Sequence, residues 1–244
     1  FFCSRNFICY NEIKMFEIRS TATAETSLSK DSQEIKSLDL SWFPLAAEAY
    51  CISKDLNDYF FVSTLICPSD LPNRNGIAFP LEELIRFMPP PNNRMAYKGW
   101  AGAPVFYNHN NQDPTKAHGV ILDVSLRRIQ GYNGNRLCKV TGILAIDKTK
   151  YPEIAGKVMS GEINTYSMGA EAYYFTCSYC GEICDDKHCC SHISSINDVN
   201  FRTVKDYEGN IHLVFLNAHA LSPIETSIVP DPAWAPAQSD NVIL

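Results

Sequence analysis

The chain has 244 residues, a formal net charge of -6 and 45% hydrophobic residues, which suits a folded domain with a sizeable core. The acidic balance gives no electrostatic reason to expect nucleic-acid binding, and no apolar run approaches the ~20 residues that a membrane helix needs. Arg5 and Asn6 interrupt the apolar residues of positions 1–18, which therefore lack the continuous apolar segment of a secretory signal.

The first 39 residues are predicted to form a flexible arm, because positions 19–38 are rich in Ser, Thr, Glu and Lys. A folded domain is expected over 40–235, followed by a tail over 236–244. Its first strand is predicted at 58–67, where aromatic and β-branched residues dominate. A helix is predicted at 79–88, with Pro80 near its first turn and Pro89 beyond its end.

Strands dominate the rest of the predicted domain. They are expected at 102–110, 119–126, 137–146, 163–175, 211–216 and 224–229, with a second helix at 151–160. Asn133-Gly134-Asn135 carries the signal of a hairpin turn. About seven strands and two helices predict a mostly β (α+β), barrel-like domain with peripheral helices, and not alternating βαβ units.

The chain contains ten cysteines, of which five fall between positions 177 and 190. Such close spacing favours a metal site over a dispersed disulfide framework, so segment 176–196 is expected to be an insertion stapled by a structural zinc ion. Unligated cysteines or a disulfide are the competing interpretation. The preferred ligand set is Cys177, Cys180, Cys190 and His192, with Cys189 as an alternative to Cys190 and with Cys184 or His188 as alternatives to His192.

Three polar residues lie at separate predicted strand ends: His109, Ser167 and Glu225. A serine hydrolase needs a hydroxyl, a base that takes its proton and a group that orients the base. These residue types supply the three roles, although each also occurs as an ordinary structural residue. From the residues alone, both interpretations stay open.

Four patterns then follow one another along the chain. They are a loop at 71–76, a histidine region at 102–110 with 119–123, an S-x-G pattern at 164–169, and an E-x-S-x-V…P-A pattern at 224–229 with 232–233. In this order, from about residue 59 to residue 233, the chain resembles the tailed-phage prohead proteases, which are capsid maturation proteases. One branch of that family also carries a C-x-x-C and C-x-H-I insertion after the serine strand.

The resemblance implies a herpesvirus assembly-protease-like β-barrel surrounded by helices, with a small zinc-type insertion. By position, Ser167 matches the nucleophile, His109 the general base and Glu225 the residue that orients the imidazole. Backbone N–H groups near Met168 and Gly169 are candidates for part of the oxyanion hole. His118 and His219 are alternatives for the third catalytic member.

The implied function is a serine endopeptidase that cuts scaffold protein, major capsid protein and itself during prohead maturation. It would act inside the procapsid in the host cytoplasm and would need no cofactor for catalysis. Neither a membrane nor nucleic acid is expected as a partner, and a homo-oligomer is compatible with this role. Two other functions stay open. One is an inactive structural component of capsid assembly on the same fold, and the other is a zinc-stapled binding module.

Overall fold

A computed structural model describes residues 16–28, 30–130, 136–193, 196 and 202–230. The α-helices in this part are Gln33–Lys36 (α1), Phe43–Ala49 (α2), Leu81–Leu84 (α3) and Pro152–Met159 (α4), and short 3₁₀ helices span Leu56–Asp58, Ala96–Trp100 and Pro114–Lys116. The strands are Phe16–Leu28 (β1), Tyr59–Pro68 (β2), Ile77–Ala78 (β3), Phe87–Met88 (β4), Arg94–Met95 (β5), Pro104–Tyr107 (β6), Gly119–Gln130 (β7), Arg136–Asp147 (β8), Thr165–Ala172 (β9), Tyr174–Cys177 (β10), Ile183–Cys184 (β11), Arg202–Lys205 (β12), Ile211–Val214 (β13), Leu216–His219 (β14) and Ser222–Ile228 (β15). Within these residues, every helix is too short or too polar to span a membrane.

Seven strands close into a barrel in the order β1-β2-β8-β7-β6-β15-β9. β1 closes it by pairing with β2 along one edge and with β9 along the other. Neighbouring strands are antiparallel except β6 and β15, which are parallel. The predicted fold class, mostly β with peripheral helices, is confirmed.

Alternation along β2 separates two hydrophobic clusters, because successive strand residues point to opposite faces of a sheet. Val62 belongs to the main core cluster, together with Leu144 and Met168. Its neighbour Phe61 belongs to a second cluster that includes Phe43 of α2. The barrel is therefore filled on the inside and covered by α2 on part of its outside.

The helix predicted at 79–88 is shorter than expected. Only Leu81–Leu84 is helical, and Phe87–Met88 is a strand that pairs with Arg94–Met95. The residue before a proline disfavours helical backbone angles, so Met88 is extended ahead of Pro89. The strand predicted at 163–175 is divided into β9 and β10, and the strand predicted at 211–216 is interrupted at Phe215, between β13 and β14. The other predicted strands and the helix at 151–160 are present with shifted ends.

The flexible arm predicted over the first 39 residues is wrong for part of its length. Residues Phe16–Leu28 form barrel strand β1, and Gln33–Lys36 form α1. A strand between two partners is held by its backbone hydrogen bonds, so a stretch rich in Ser and Thr can form a strand with few large apolar residues. Residues 1–15, the turn at 133–135 and the tail at 236–244 lie outside the described residues.

Two pairs of strands form one long ribbon. β9 pairs with β15, and the chain continues on both sides into β10 and β14, which pair with each other. At the junction the Tyr173 N–H donates to the His219 carbonyl at 3.0 Å. The ribbon carries Ser167 and Glu225 near one end, and the cysteine-rich segment between β10 and β14 closes the other end.

Candidate active site and metal centre

Ser167 lies in the middle of β9 on the face that points away from the core. Its neighbours Tyr166 and Met168 belong to the core cluster, and alternation directs Ser167 and Gly169 to the opposite face. Ser167 is only 2% exposed. The hydroxyl therefore lies on the outer surface of the barrel, beneath other parts of the chain.

The partners of this face come from β15. Ser227 is the register partner of Ser167, and Glu225 is the register partner of Gly169. Directly opposed residues of antiparallel strands share a face, with β-carbons about 4.5–5.5 Å apart. A hydroxyl, a carboxylate and a second hydroxyl are thus brought to one patch of the barrel surface.

His109 reaches the same patch from the loop after β6. Asn108 and His109 have φ angles of 51° and 56°, a left-handed backbone that non-glycine residues seldom adopt. The turn is held to β15, because the Asn108 N–H donates to the Ile228 carbonyl at 3.0 Å and the His109 N–H donates to Ser227 Oγ at 3.1 Å. Strained backbone of this kind is typical of functional sites.

The side chain of His109 meets the carboxylate of Glu225. The distance from His109 Nδ1 to Glu225 Oε1 is 2.7 Å, and Glu225 is fully buried. The other carboxylate oxygen, Oε2, accepts a hydrogen bond from Ser227 Oγ at 2.6 Å. When His109 Nδ1–H donates to Glu225, the ring nitrogen Nε2 is left free to accept a proton from a hydroxyl.

The predicted oxyanion residues lie within the sheet. Met168 and Gly169 have register partners on both β1 and β15, and the Gly169 carbonyl accepts a hydrogen bond from Trp100 Nε1 at 3.2 Å. A role for their N–H groups at a developing oxyanion stays a prediction.

The two alternative histidines have other neighbours. The ring of His118 stacks on Tyr151, with centroids 4.1 Å apart. His219 contacts Glu83 through Nδ1 at 3.2 Å and Thr176 through Nε2 at 2.8 Å. Among the three candidates for the orienting group, Glu225 is the one whose side chain contacts His109.

The four preferred metal ligands converge at the far end of the ribbon. The ligand atoms of Cys177, Cys180, Cys190 and His192 all lie within 4.8 Å of one another. Gly181, with φ 74°, makes the tight turn that brings Cys180 back, and its N–H donates to the Cys177 carbonyl at 2.9 Å. The group can hold a metal ion.

Two features of the donors fit a metal. His192 Nδ1 is buried and has no hydrogen-bond partner within the described part of the chain. Burial acts to raise the pKa of Cys190, but hydrogen bonds from the His192 backbone and from the Cys177, His192 and Cys180 side chains outweigh burial and lower the pKa to about 7. A lowered pKa makes the metal-binding thiolate accessible near neutral pH.

The alternative ligands lie outside this cluster. Cys184 contacts Cys189 through its side chain. His188 is exposed and contacts Glu182 at 3.0 Å. The four converging ligand atoms are thus those of the preferred set, and the assignment of these residues as metal ligands stays a prediction.

Two residues of the candidate active-site patch make contacts that the sequence did not predict, and one of them, Gly169, was predicted only as a candidate for the oxyanion hole. Ser227 contacts both Glu225 and the His109 backbone, and Gly169 leaves space for the Glu225 carboxylate. The signal was present in the E-x-S spacing, because residues two apart on a strand share a face. Only the pairing of β15 with β9 shows that Gly169 belongs to the same group.

The fold was compared with solved protein structures. The bacteriophage T4 capsid assembly protease, gp21, superposes with a TM-score of 0.46 at 13% sequence identity, over 91% of this chain and 100% of that one. No protein-family model matches the sequence, and a search of curated proteins found no match.

Proposed function

We propose that the chain is a serine endopeptidase of the prohead-maturation type, with Ser167 as nucleophile, His109 as general base and Glu225 as the orienting carboxylate. The observation that carries this proposal is the 2.7 Å contact between His109 Nδ1 and the buried Glu225. Glu225 lies on β15, which pairs with the strand that contains Ser167. The order of sequence patterns around the same three residues supports it independently.

The proposed reaction proceeds in two stages. Ser167 Oγ attacks the scissile carbonyl carbon while His109 Nε2 takes the proton of the hydroxyl. The imidazolium then donates that proton to the departing amine. A water molecule then attacks the acyl-enzyme with the same base, which releases the new carboxyl terminus and restores the Ser167 hydroxyl. Glu225 holds the ring tautomer and stabilises the imidazolium in both stages.

The proposed substrates are extended segments of scaffold protein, of major capsid protein and of the protease itself. Such a protease works inside the procapsid, within the host cytoplasm. A covalent mechanism with Ser167 needs no metal, which agrees with the placement of the cysteine cluster at the other end of the ribbon.

The metal in this proposal is a structural zinc ion. Three cysteines and one histidine match the donors and the coordination number that structural zinc prefers. Bound there, zinc would tie the segment between β10 and β14 to the end of the ribbon.

The test is Ser167→Ala compared with Ser41→Ala, which replaces an exposed serine just before α2. Each variant is expressed with the scaffold and major capsid proteins encoded alongside it, and the products are read by intact mass. We expect cleavage by the wild type and by the Ser41 variant, and uncut substrates with the folded Ser167 variant. Labelling by a fluorophosphonate should map to Ser167.

Cleavage by the Ser167 variant would overturn the assignment of the nucleophile. If neither cleavage nor labelling occurs in the folded wild type, the protease proposal fails, and an inactive capsid-assembly component becomes the better interpretation. A zinc-stapled binding module predicts instead that partner binding is lost when Cys177 and Cys180 are both replaced, whatever residue stands at 167.

A further inference from the structure

The ribbon bends at Ala220, between β14 and β15, two residues before the pairing of β15 with β9 begins at Ser222. Ala220 has a φ of 52° at this bend, a left-handed conformation that costs a non-glycine residue roughly 1 kcal/mol. The pairing of β15 with β9 also shifts register between Pro223 and Glu225. This backbone conformation needs stabilising contacts from the rest of the chain, because relaxation here would move Glu225 along its strand.

Glu83 of α3 makes these stabilising contacts. Its Oε2 accepts hydrogen bonds from the Ala220 N–H at 3.0 Å and from Arg86 Nε at 3.0 Å. Its Oε1 lies 3.2 Å from His219 Nδ1. The Glu83 side chain is only 12% exposed, so these contacts are largely shielded from water.

Two neighbours complete the contact. Arg86 Nη2 donates to the Leu221 carbonyl at 3.2 Å, so the Glu83–Arg86 pair hydrogen-bonds to the backbone of both residues that follow His219. The ring of His219 stacks on Tyr174 of β10 with centroids 4.9 Å apart, and its Nε2 contacts Thr176. The bend is thereby fixed from α3 on one side and from β10 on the other.

From these contacts we infer that Glu83 is a positioning residue of the active site, which sets the register of β15 and so places the Glu225 carboxylate beside His109. Glu83 acts through the Ala220 backbone and touches no reacting group. The inference rests on the proposed function for its catalytic consequence, but its structural consequence, the His109–Glu225 contact, is measurable without any substrate.

The test compares three variants of the full chain. Glu83→Ala removes the contacts of the Glu83 carboxylate with Ala220, His219 and Arg86. Glu83→Gln keeps a side-chain oxygen that can accept from the Ala220 N–H. Glu82→Ala removes a neighbouring exposed carboxylate of the same helix and is the matched control.

The first readout is the low-field proton resonance of His109 Nδ1–H together with the ring nitrogen shifts that report its tautomer, assigned with His109→Ala. We expect the resonance to be lost or displaced in Glu83→Ala and retained in Glu83→Gln and Glu82→Ala. The second readout is cleavage, where Glu83→Ala should lower kcat by about 10- to 100-fold with KM little changed, since small misplacements of catalytic groups have effects of this size.

The outcomes separate the two hypotheses. If the Glu83→Ala resonance is unchanged, the positioning role is overturned, whether or not the wild type cleaves. If the wild type has no protease activity but the resonance depends on Glu83 as expected, the positioning role stands and the proposed function falls. Equal loss of the resonance in Glu82→Ala would show a general effect of α3 and would also overturn the inference.

Discussion

Gly169 lies directly opposite Glu225, and a β-carbon on Gly169 would stand 2.5 Å from Glu225 Oε1. That oxygen is the atom in contact with His109 Nδ1. The absence of a side chain at position 169 is therefore what allows the carboxylate to occupy its place beside the imidazole.

Gly169→Ala should displace the Glu225 carboxylate from His109. We expect kcat/KM to fall about 100-fold, as for other displacements of catalytic groups by roughly 1 Å. Overpacking should also lower the free energy of unfolding by about 1–3 kcal/mol. The matched control is Gly156→Ala in α4, where an added β-carbon meets nothing within 4 Å. Steady-state kinetics and urea unfolding check both effects, and wild-type kinetics in Gly169→Ala would contradict the assignment of Glu225.

Ser227→Ala should weaken the proposed active site by removing two hydrogen bonds. Its hydroxyl donates to Glu225 Oε2 and accepts from the His109 N–H, so the variant leaves a buried carboxylate oxygen without this donor. We expect a loss of about 1–3 kcal/mol in the free energy of unfolding, and a lower kcat. Thr226→Val is the control, because the buried Thr226 Oγ1 has no partner among the described residues. A neutral Ser227→Ala, or an equally damaging Thr226→Val, would refute this prediction.

Cys180→Ser should abolish binding of the proposed structural zinc ion. Cys180 supplies one of the four converging ligand atoms, whereas Cys189 lies outside the cluster. Metal content measured on the purified proteins should be near one zinc ion per chain for the wild type and for Cys189→Ser, and much lower for Cys180→Ser. Because metal binding stabilises the folded state, a chelator should lower the Tm of the first two proteins and leave that of Cys180→Ser unchanged. Zinc retained by Cys180→Ser but lost from Cys189→Ser would show that the ligand set is wrong.

His118 should make the protein less stable as the pH falls. Burial is the main cause that lowers the pKa of His118 from its ordinary value of 6.5 to about 4, and the charge of Lys150 adds to it while Asp147 opposes it. Between these two values the unfolded chain binds more protons than the folded protein, so stability is greatest above the unfolded pKa and declines as the pH falls towards the folded one. The full effect is on the order of 3 kcal/mol.

His118→Phe tests this prediction, since a phenyl ring retains the stacking on Tyr151 and cannot be protonated. Urea unfolding at several pH values should show that the wild type loses more stability than the variant as the pH falls from about 7.5 to about 4.5. Protonation of the metal ligands affects both proteins equally, so the difference between them reports His118. Parallel pH profiles would rule out a buried neutral histidine.

The sequence predicted the mostly β class because aromatic and β-branched residues recur in short runs separated by turns. It also singled out Ser167, His109 and Glu225 through local patterns, and the close spacing of Cys177 and Cys180 indicated a metal site. These signals are local, and a local sequence pattern can be recognised without knowledge of the fold. The polar strand β1 was missed for the same reason, since pairing with β2 and β9 is invisible in its composition.

The amino-acid sequence by itself determined which chemical groups are available: a hydroxyl, an imidazole, a carboxylate and a set of soft metal ligands. Only the tertiary structure decided that Glu225, and not His118 or His219, contacts His109. It also decided that Glu83 accepts a hydrogen bond from the backbone at the bend before β15. Contacts between residues more than a hundred positions apart depend on strand register and chain reversal, which arise from the closing of the whole barrel and not from any single segment.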